Sequence, residues 1–298
     1  MGQLRVVNGT RIFVDERGAA DAPVLLFIHG GPGNPCWDFM ESVGALLARR
    51  LRVIGVDQRG VLRSDALPDG VTPSVAGLIA DFEALRGQLG ITRWTILGHS
   101  AGGAYALDYA LAHPDAVDGV IFDCPCFDAD STDRYRLPRA AELADSLGQT
   151  GTAEAMRALA AKTTRITGAD ESWKLLAGLG EDHLRVFFHD QVGIDAYHRV
   201  MSRAEDLGFD WSRSMSHLPL LDDMYTNRLP RLADLAVPSM LIHGTDDLVA
   251  PPTVIEAYAE ATGGTVRTIE ASGHFAFIEQ PEQYAAAVTD FVTGSVRR

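Results

Sequence analysis

The stretch Ile96-Leu97-Gly98-His99-Ser100-Ala101-Gly102-Gly103-Ala104-Tyr105 decides how this chain folds. Upstream, Arg93 to Leu97 (R-W-T-I-L) is rich in β-branched and aromatic residues, the pattern of a short buried strand. Downstream, Ala101 to Ala112 reads as a helix, with Tyr105, Leu107, Tyr109 and Leu111 set among alanines. A strand that reverses directly into a helix forces the residue at its apex, Ser100, into a strained conformation with φ > 0. The residues two before and two after the apex then approach each other and must be small. Gly98 and Gly102 meet that need, and Gly103 lets the helix lie close to the sheet. The pattern is a G-x-S-x-G elbow, which holds a serine hydroxyl above a sheet with backbone N–H groups beside it.

Working outward, Arg5–Val7 and Arg11–Asp15 predict an antiparallel pair turning at Asn8-Gly9. Val24–His29 is a fully apolar run ending in glycines, as a buried parallel strand should. A helix is expected over Phe39–Arg49, a strand over Arg52–Val56, a helix over Val75–Leu89 and, after the elbow, a strand over Gly119–Asp123. Strands alternating with helices mean a mostly parallel sheet covered on both faces. The alternation stops between about Cys124 and Asp234, where only helical patterns and loops occur. It resumes with strands over Val237–His243 and Thr265–Ile269 and helices over Thr253–Thr262 and Glu282–Val292. The expected organisation is a core of residues 1–123 and 235–298, with residues 124–234 inserted as a helical cap after the sixth strand.

In open parallel sheets, functional residues gather in loops past the carboxyl ends of strands. Three such loops carry suggestive residues: His29-Gly30-Gly31-Pro32-Gly33, then Gly244-Thr245-Asp246-Asp247-Leu248-Val249-Ala250-Pro251, then Glu270 to Phe275 with His274 inside it. A serine is a poor nucleophile at its free pKa, so an imidazole must take its proton and return it to the leaving group. A carboxylate must hold that imidazole in one tautomer, and backbone N–H groups must receive the oxyanion. His274, after the last strand, suits the base. His113, late in a helix, and His183, His189, His198 and His217, in the insertion, suit it less, and His243 ends a strand. Asp246 and Asp247 both remain open as the acid, Asp246 having the alternative of forming the turn. His29 is expected to orient the glycine loop, and Asp57, which after its strand could also support the triad, to pair with Arg59.

Composition narrows the partners. The 298 residues carry a formal net charge of −14, which argues against nucleic acid or an anionic membrane surface. The longest apolar runs are strand-sized, so no membrane span is expected. Three cysteines cannot build a disulfide framework, and no cysteine–histidine cluster has zinc spacing. The N-terminal ten residues lack an apolar secretory stretch, and together with reduced thiols this sets the expectation of a cytoplasmic location. No metal or organic cofactor is expected, because the glycine-rich loop does not have phosphate-binding spacing.

His29-Gly30-Gly31-Pro32-Gly33, and Asp57-Gln58-Arg59-Gly60 followed by Ser64, resemble hallmarks of the prolyl iminopeptidase-like group of the α/β-hydrolase superfamily. The resemblance covers both halves of the core and implies an α/β-hydrolase fold. It implies Ser100 as nucleophile and His274 as base. Counting three residues from Gly244, with Pro251 four further on, it selects Asp247 as the acid. It also implies the N–H groups of Gly31 and Ala101 as oxyanion donors, supported by His29, Gly30, Pro32 and Gly33. The chain departs from the group at Ala101, where tryptophan is usual, and at Leu62, where glycine is usual. Peptidases of the group hold the substrate's amino group with cap glutamates, so Glu142, Glu154, Glu171, Glu181 and Glu205 are candidates here. Trp173 and Trp211, with Tyr135, Phe187, Phe188, Tyr197 and Tyr225, are candidates for an aromatic pocket, cap core being the commoner use of such residues.

The first expectation is a serine hydrolase forming an acyl-enzyme and cleaving a small amide, removing an N-terminal prolyl or other aminoacyl group from a small molecule or short peptide. The second is a carboxylesterase or lactonase acting on a small apolar ester. A catalytically silent hydrolase fold that binds a ligand is the alternative of a different class, and acyl transfer would use the same machinery. Epoxide and haloalkane hydrolysis are disfavoured because those relatives place aspartate at the elbow.

Overall fold

A computed structural model of the protein describes residues 2–295. One sheet of eight strands runs in the order β1-β2-β4-β3-β5-β6-β7-β8. Strands β1 (Gln3–Val7) and β2 (Thr10–Arg17) form a hairpin in which Asn8 and Gly9 have φ of 46° and 78°. Positive φ at both turn residues matches the twist of the strands, and Asn-Gly adopts it at low cost. β2 lies antiparallel to β4 (Arg52–Asp57). From β4 onward, through β3 (Val24–Ile28), β5 (Trp94–His99), β6 (Val117–Asp123), β7 (Ser239–Gly244) and β8 (Thr265–Ile269), every pairing is parallel.

The central strands are apolar on both faces because both faces are covered. Leu26, Ile96, Val120 and Leu241 point to one side and pack with Phe82, Leu107 and Tyr258 of helices Val75–Gln88, Ala101–Ala112 and Pro252–Thr262. Leu25, Phe27, Leu97, Ile121 and Ile242 point to the other. They meet Phe39, Leu47, Tyr284 and Val288 from the helical run that begins at Trp37 and from the terminal helix Pro281–Ser295. Alternate residues of one strand thus serve separate cores. The run after Trp37 is not one regular helix, since Met40–Gly44 forms a π-helical turn. Ser74 caps its helix by accepting from the Gly77 N–H.

Between β6 and β7 the chain forms helices and 3₁₀ turns only, including Ala129–Ser146, Thr150–Ala160, Ser172–Ala177, Gln191–Asp206 and Trp211–Tyr225. This helical insertion has its own apolar cluster around Leu137, Ala140, Ala144, Met156 and Val186. Polar bonds fasten it to the sheet layer. Arg228 is buried and bonds Asp108 of the elbow helix (2.9 Å) and Asp223 (2.6 Å). Thr132 donates to Val249 O (2.7 Å), and the Trp37 indole donates to Val200 O (3.0 Å).

Candidate active site

Ser100 sits between β5 and its helix at φ 56°, ψ −123°. A Cβ on Gly98 would overlap Gly102 O, and one on Gly102 would overlap Ile28 O. Gly98 is therefore required by the close approach of β5 to its own following helix, and Gly102 by the approach of that helix to the end of β3. The apex is pinned from both sides: Ser100 N donates to Asp123 O (2.9 Å), and Cys126 N donates to Ser100 O (3.0 Å). The strain is thus held by the ends of β6 and the cap entry, which over-determine the serine's position.

Asp247 follows β7, and its carboxylate is wholly surrounded by donors. Oδ1 accepts from His274 Nδ1 (2.9 Å) and Val249 N (3.0 Å), and Oδ2 accepts from Ala250 N (3.0 Å). Burial pushes this carboxyl up, but His274 and the two N–H groups outweigh it and leave the pKa below the usual value. Burial lowers the His274 pKa, only partly opposed by Asp247, with His99 adding to the lowering. The ring is therefore neutral near pH 7, with Nδ1–H given to Asp247 and Nε2 left as a base. His274 N also donates to Phe187 O of the cap (2.7 Å), and the Phe187 ring lies 5.7 Å from the imidazole. Asp246 lies outside this pair, exposed, bonding His189 Nδ1 at 2.6 Å.

The loop after β3 lies against the elbow. A Cβ on Gly30 would come within 2.7 Å of both His99 O and Ser100 Cβ, while Gly31 and Gly33 have φ of 112° and 92°. His29 is buried and accepts the Gln58 N–H at Nε2 (3.2 Å), which leaves Nδ1–H for Gly30 O (3.2 Å). Burial lowers its pKa to about 3, so it is a neutral strut for the loop. Asp57 does not pair with Arg59. The turn after β4 passes through Gly60 and Leu62 at positive φ and brings Arg63 back onto Asp57 (2.6 and 2.8 Å). Arg59 instead bonds Asp81 of helix Val75–Gln88 (2.5 Å).

Ser100, His274 and Gly31 line one cavity of about 630 Å³ between the sheet and the cap, and Ala101 follows Ser100 as the first residue of the helix. Of the aromatic candidates, Trp173, Phe187, Tyr197 and Tyr225 line it, whereas Tyr135, Phe188 and Trp211 do not. None of the five cap glutamates does: Glu142, Glu154, Glu171, Glu181 and Glu205 are all exposed. The carboxylate in the wall is Asp133, held by Arg136 and Tyr225.

Sequence reasoning missed a second buried imidazole–carboxylate pair. His99 Nδ1 lies 2.9 Å from Asp123 Oδ2, and the His99 ring centroid is 4.6 Å from that of His274. The signal was available, because the parallel register sets the last residues of β5 and β6, His99 and Asp123, opposite each other. All three cysteines are free and buried. Among the described residues one set of potential metal ligands clusters, Cys124, Asp247 and His274, with donor atoms within 4.8 Å. Asp247 and His274 are already bonded to each other there, and burial holds the Cys124 sulfur as a thiol. No helix among the described residues is long and apolar enough to cross a membrane.

Comparison with known proteins finds relatives across nearly the whole chain. A proline iminopeptidase of Xanthomonas citri is 27% identical over 96% of this chain and 94% of its own length. One from Xylella fastidiosa is 25% identical over 97% and 95%. Among solved structures, a proline iminopeptidase-related protein from Thermus thermophilus superposes with a TM-score of 0.76 at 25% identity, covering 100% of this chain and 98% of the other. An esterase from Exiguobacterium antarcticum shares the fold, with a TM-score of 0.68 at 23% identity over 98% and 100%. The model of the alpha/beta hydrolase fold family matches residues 23–281, and the chain belongs to that family.

Proposed function

We propose that the protein is a serine hydrolase in which Ser100, His274 and Asp247 act as a catalytic triad. The observation that carries this is a serine at a strained apex sharing a cavity with a buried, neutral histidine whose Nδ1–H is committed to a carboxylate. Ser100 Oγ turns toward His274 Nε2, gives up its proton and attacks the substrate carbonyl. The carbonyl oxygen becomes an oxyanion received by the N–H groups of Gly31 and Ala101. His274 then protonates the leaving amine or alcohol as the C–N or C–O bond breaks, leaving an acyl-enzyme. Water, deprotonated by the same imidazole, releases the acid and restores Ser100. The cap, residues 124–234, shields the reaction and selects the substrate, on a core of residues 1–123 and 235–298.

The first substrate class is a small amide carrying an N-terminal prolyl or other aminoacyl group, supported by relatives named proline iminopeptidase that match over nearly the whole chain. A second class, small esters or lactones, is favoured by one observation: no candidate glutamate reaches the cavity, and Asp133 is already engaged by Arg136 and Tyr225. Two measurements test the whole. A fluorophosphonate probe labels the native protein and spares Ser100→Ala. A panel of aminoacyl p-nitroanilides and short p-nitrophenyl esters then ranks the classes. Labelling that persists in Ser100→Ala rejects the triad, and no turnover of any member favours a silent ligand-binding fold.

A further inference from the structure

We propose that Arg136 makes the cavity selective for a substrate bearing a carboxylate besides the bond that is cleaved. This rests on the serine-hydrolase reading and holds for either an amide or an ester. Arg136 and Asp133 stand three residues apart on helix Ala129–Ser146 and so share one face, the face turned to the cavity. Arg136 Nη2 donates to Asp133 Oδ1 at 2.6 Å. The other carboxylate oxygen accepts the Tyr225 hydroxyl at 2.7 Å, and that hydroxyl's oxygen in turn lies 3.0 Å from Ser172 Oγ. Since Tyr225 spends its proton on Asp133, the Ser172 hydroxyl is the donor between these two. Every proton in the chain Ser172, Tyr225, Asp133 therefore points toward the carboxylate.

The consequence is asymmetric. Asp133 is 1% exposed with both oxygens engaged, so a substrate ammonium has no open face to approach. Arg136 is under-used: Nε is buried with no partner, and among the described residues Nη1 makes no hydrogen bond. The guanidinium stands 5.8 Å from the centre of the Phe187 ring, the same ring that flanks His274, so the cation and the reacting centre belong to one wall. The fork geometry of guanidinium suits a carboxylate, which would take the free Nη1 donors and fill out the coordination that Asp133 supplies at Nη2 alone. The imidazoles of the wall, His99, His183 and His274, compete poorly for an anion. His99 faces Asp123, His183 Nδ1 bonds Gly180 O, and His274 is held neutral.

Two matched ester pairs test this, one with the carboxylate on the acyl side and one with it on the leaving group. They are mono-p-nitrophenyl glutarate against its methyl ester, and 4-(butyryloxy)benzoate against its methyl ester, followed by release of the phenol near neutral pH. The inference expects kcat/KM for the free carboxylate to exceed that of its methyl ester by roughly 10- to 100-fold in at least one pair, the range for a hydrogen bond to a charged group. Arg136→Gln should bring that ratio to about one, and Arg136→Lys, which keeps the charge without the fork, should retain part of it. The wild-type ratios need no variant to fold. Ratios at or below one in both pairs, with the methyl esters still turned over, overturn this inference alone. A preference that survives in Arg136→Gln also overturns it. No turnover of any ester, with no fluorophosphonate label on Ser100, brings down the hydrolase reading and this one together.

Discussion

Replacing Asp247 by asparagine separates two things the carboxylate does. Its oxygens face three donors, with His274 Nδ1 and Val249 N at Oδ1 and Ala250 N at Oδ2. An amide has one oxygen, so its NH₂ must face a donor either way. With the oxygen toward His274 the Ala250 N–H is orphaned; with the NH₂ toward His274 the ring must move its proton to Nε2 to accept it at Nδ1, and the Val249 N–H is orphaned. The two arrangements make equal numbers of hydrogen bonds, and the second removes the working tautomer, which leaves Nε2 without a lone pair for the serine proton. Either way one buried N–H is left without a partner, at a cost of about 1–3 kcal/mol of stability. The imidazolium that forms at the transition state also loses its buried counter-charge. Losing one partner of such a pair costs about 3–5 kcal/mol, which corresponds to a fall in kcat of roughly 10²- to 10⁴-fold. Urea denaturation reads the first effect and single-turnover kinetics on a p-nitrophenyl ester read the second. Asp246→Asn is the control. It loses an exposed pair with His189 worth about 0–1 kcal/mol of stability and should keep kcat within about twofold. If Asp247→Asn retains more than about a tenth of wild-type kcat while Asp246→Asn collapses, Asp247 is not the group that supports His274.

Because burial lowers the His274 pKa and catalysis needs the neutral ring, kcat/KM should hold as pH falls through 6.5 and decline only below it. In Asp247→Asn, which removes the group that raises that pKa, the acid limb should move lower still; an upward move contradicts the assignment. Arg63→Leu leaves the buried Asp57 carboxylate without its ion-pair partner, and should cost about 3–5 kcal/mol in urea denaturation, whereas Arg59→Leu should cost less. Gly98→Ala and Gly102→Ala each push a methyl into backbone carbonyls and should yield little folded protein, seen as lost near-UV circular dichroism. Dialysis against EDTA should leave ester turnover unchanged; activity restored only by a divalent ion would assign the Cys124–Asp247–His274 cluster to a metal.

The strands and helices of the core were legible because each carries a periodic pattern over several residues, and the observed ends lie within a few positions of those expected. The loop residues were legible for a different reason: a parallel sheet delivers the residue after each strand to one edge, so reading strand ends locates Ser100, Asp247 and His274. What was not legible is side-chain direction where no period governs it. Asp57 could not be matched to Arg63 instead of Arg59 without the left-handed turns at Gly60 and Leu62 that reverse the loop. The cap glutamates could not be placed, because a charged residue on a short helix has the same local pattern facing water or cavity. Asp133 and Arg136 were hidden the same way, being i,i+3 charges that resemble a solvated pair until the helix is seen to turn them inward.

The bond from His274 N to Phe187 O bears on how the molecule moves. The helical insertion does not merely lie above His274; its main chain is bonded to the main chain of the residue proposed to handle the proton. A whole-body swing of these helices would have to break that bond or pull on the residue, so opening of that kind would disturb the site. Smaller displacements of the roof would leave this clasp shut. Loosening the Phe187 turn, for instance by altering its neighbours Val186 or Phe188, should accordingly show up as slower chemistry before it shows up as weaker binding.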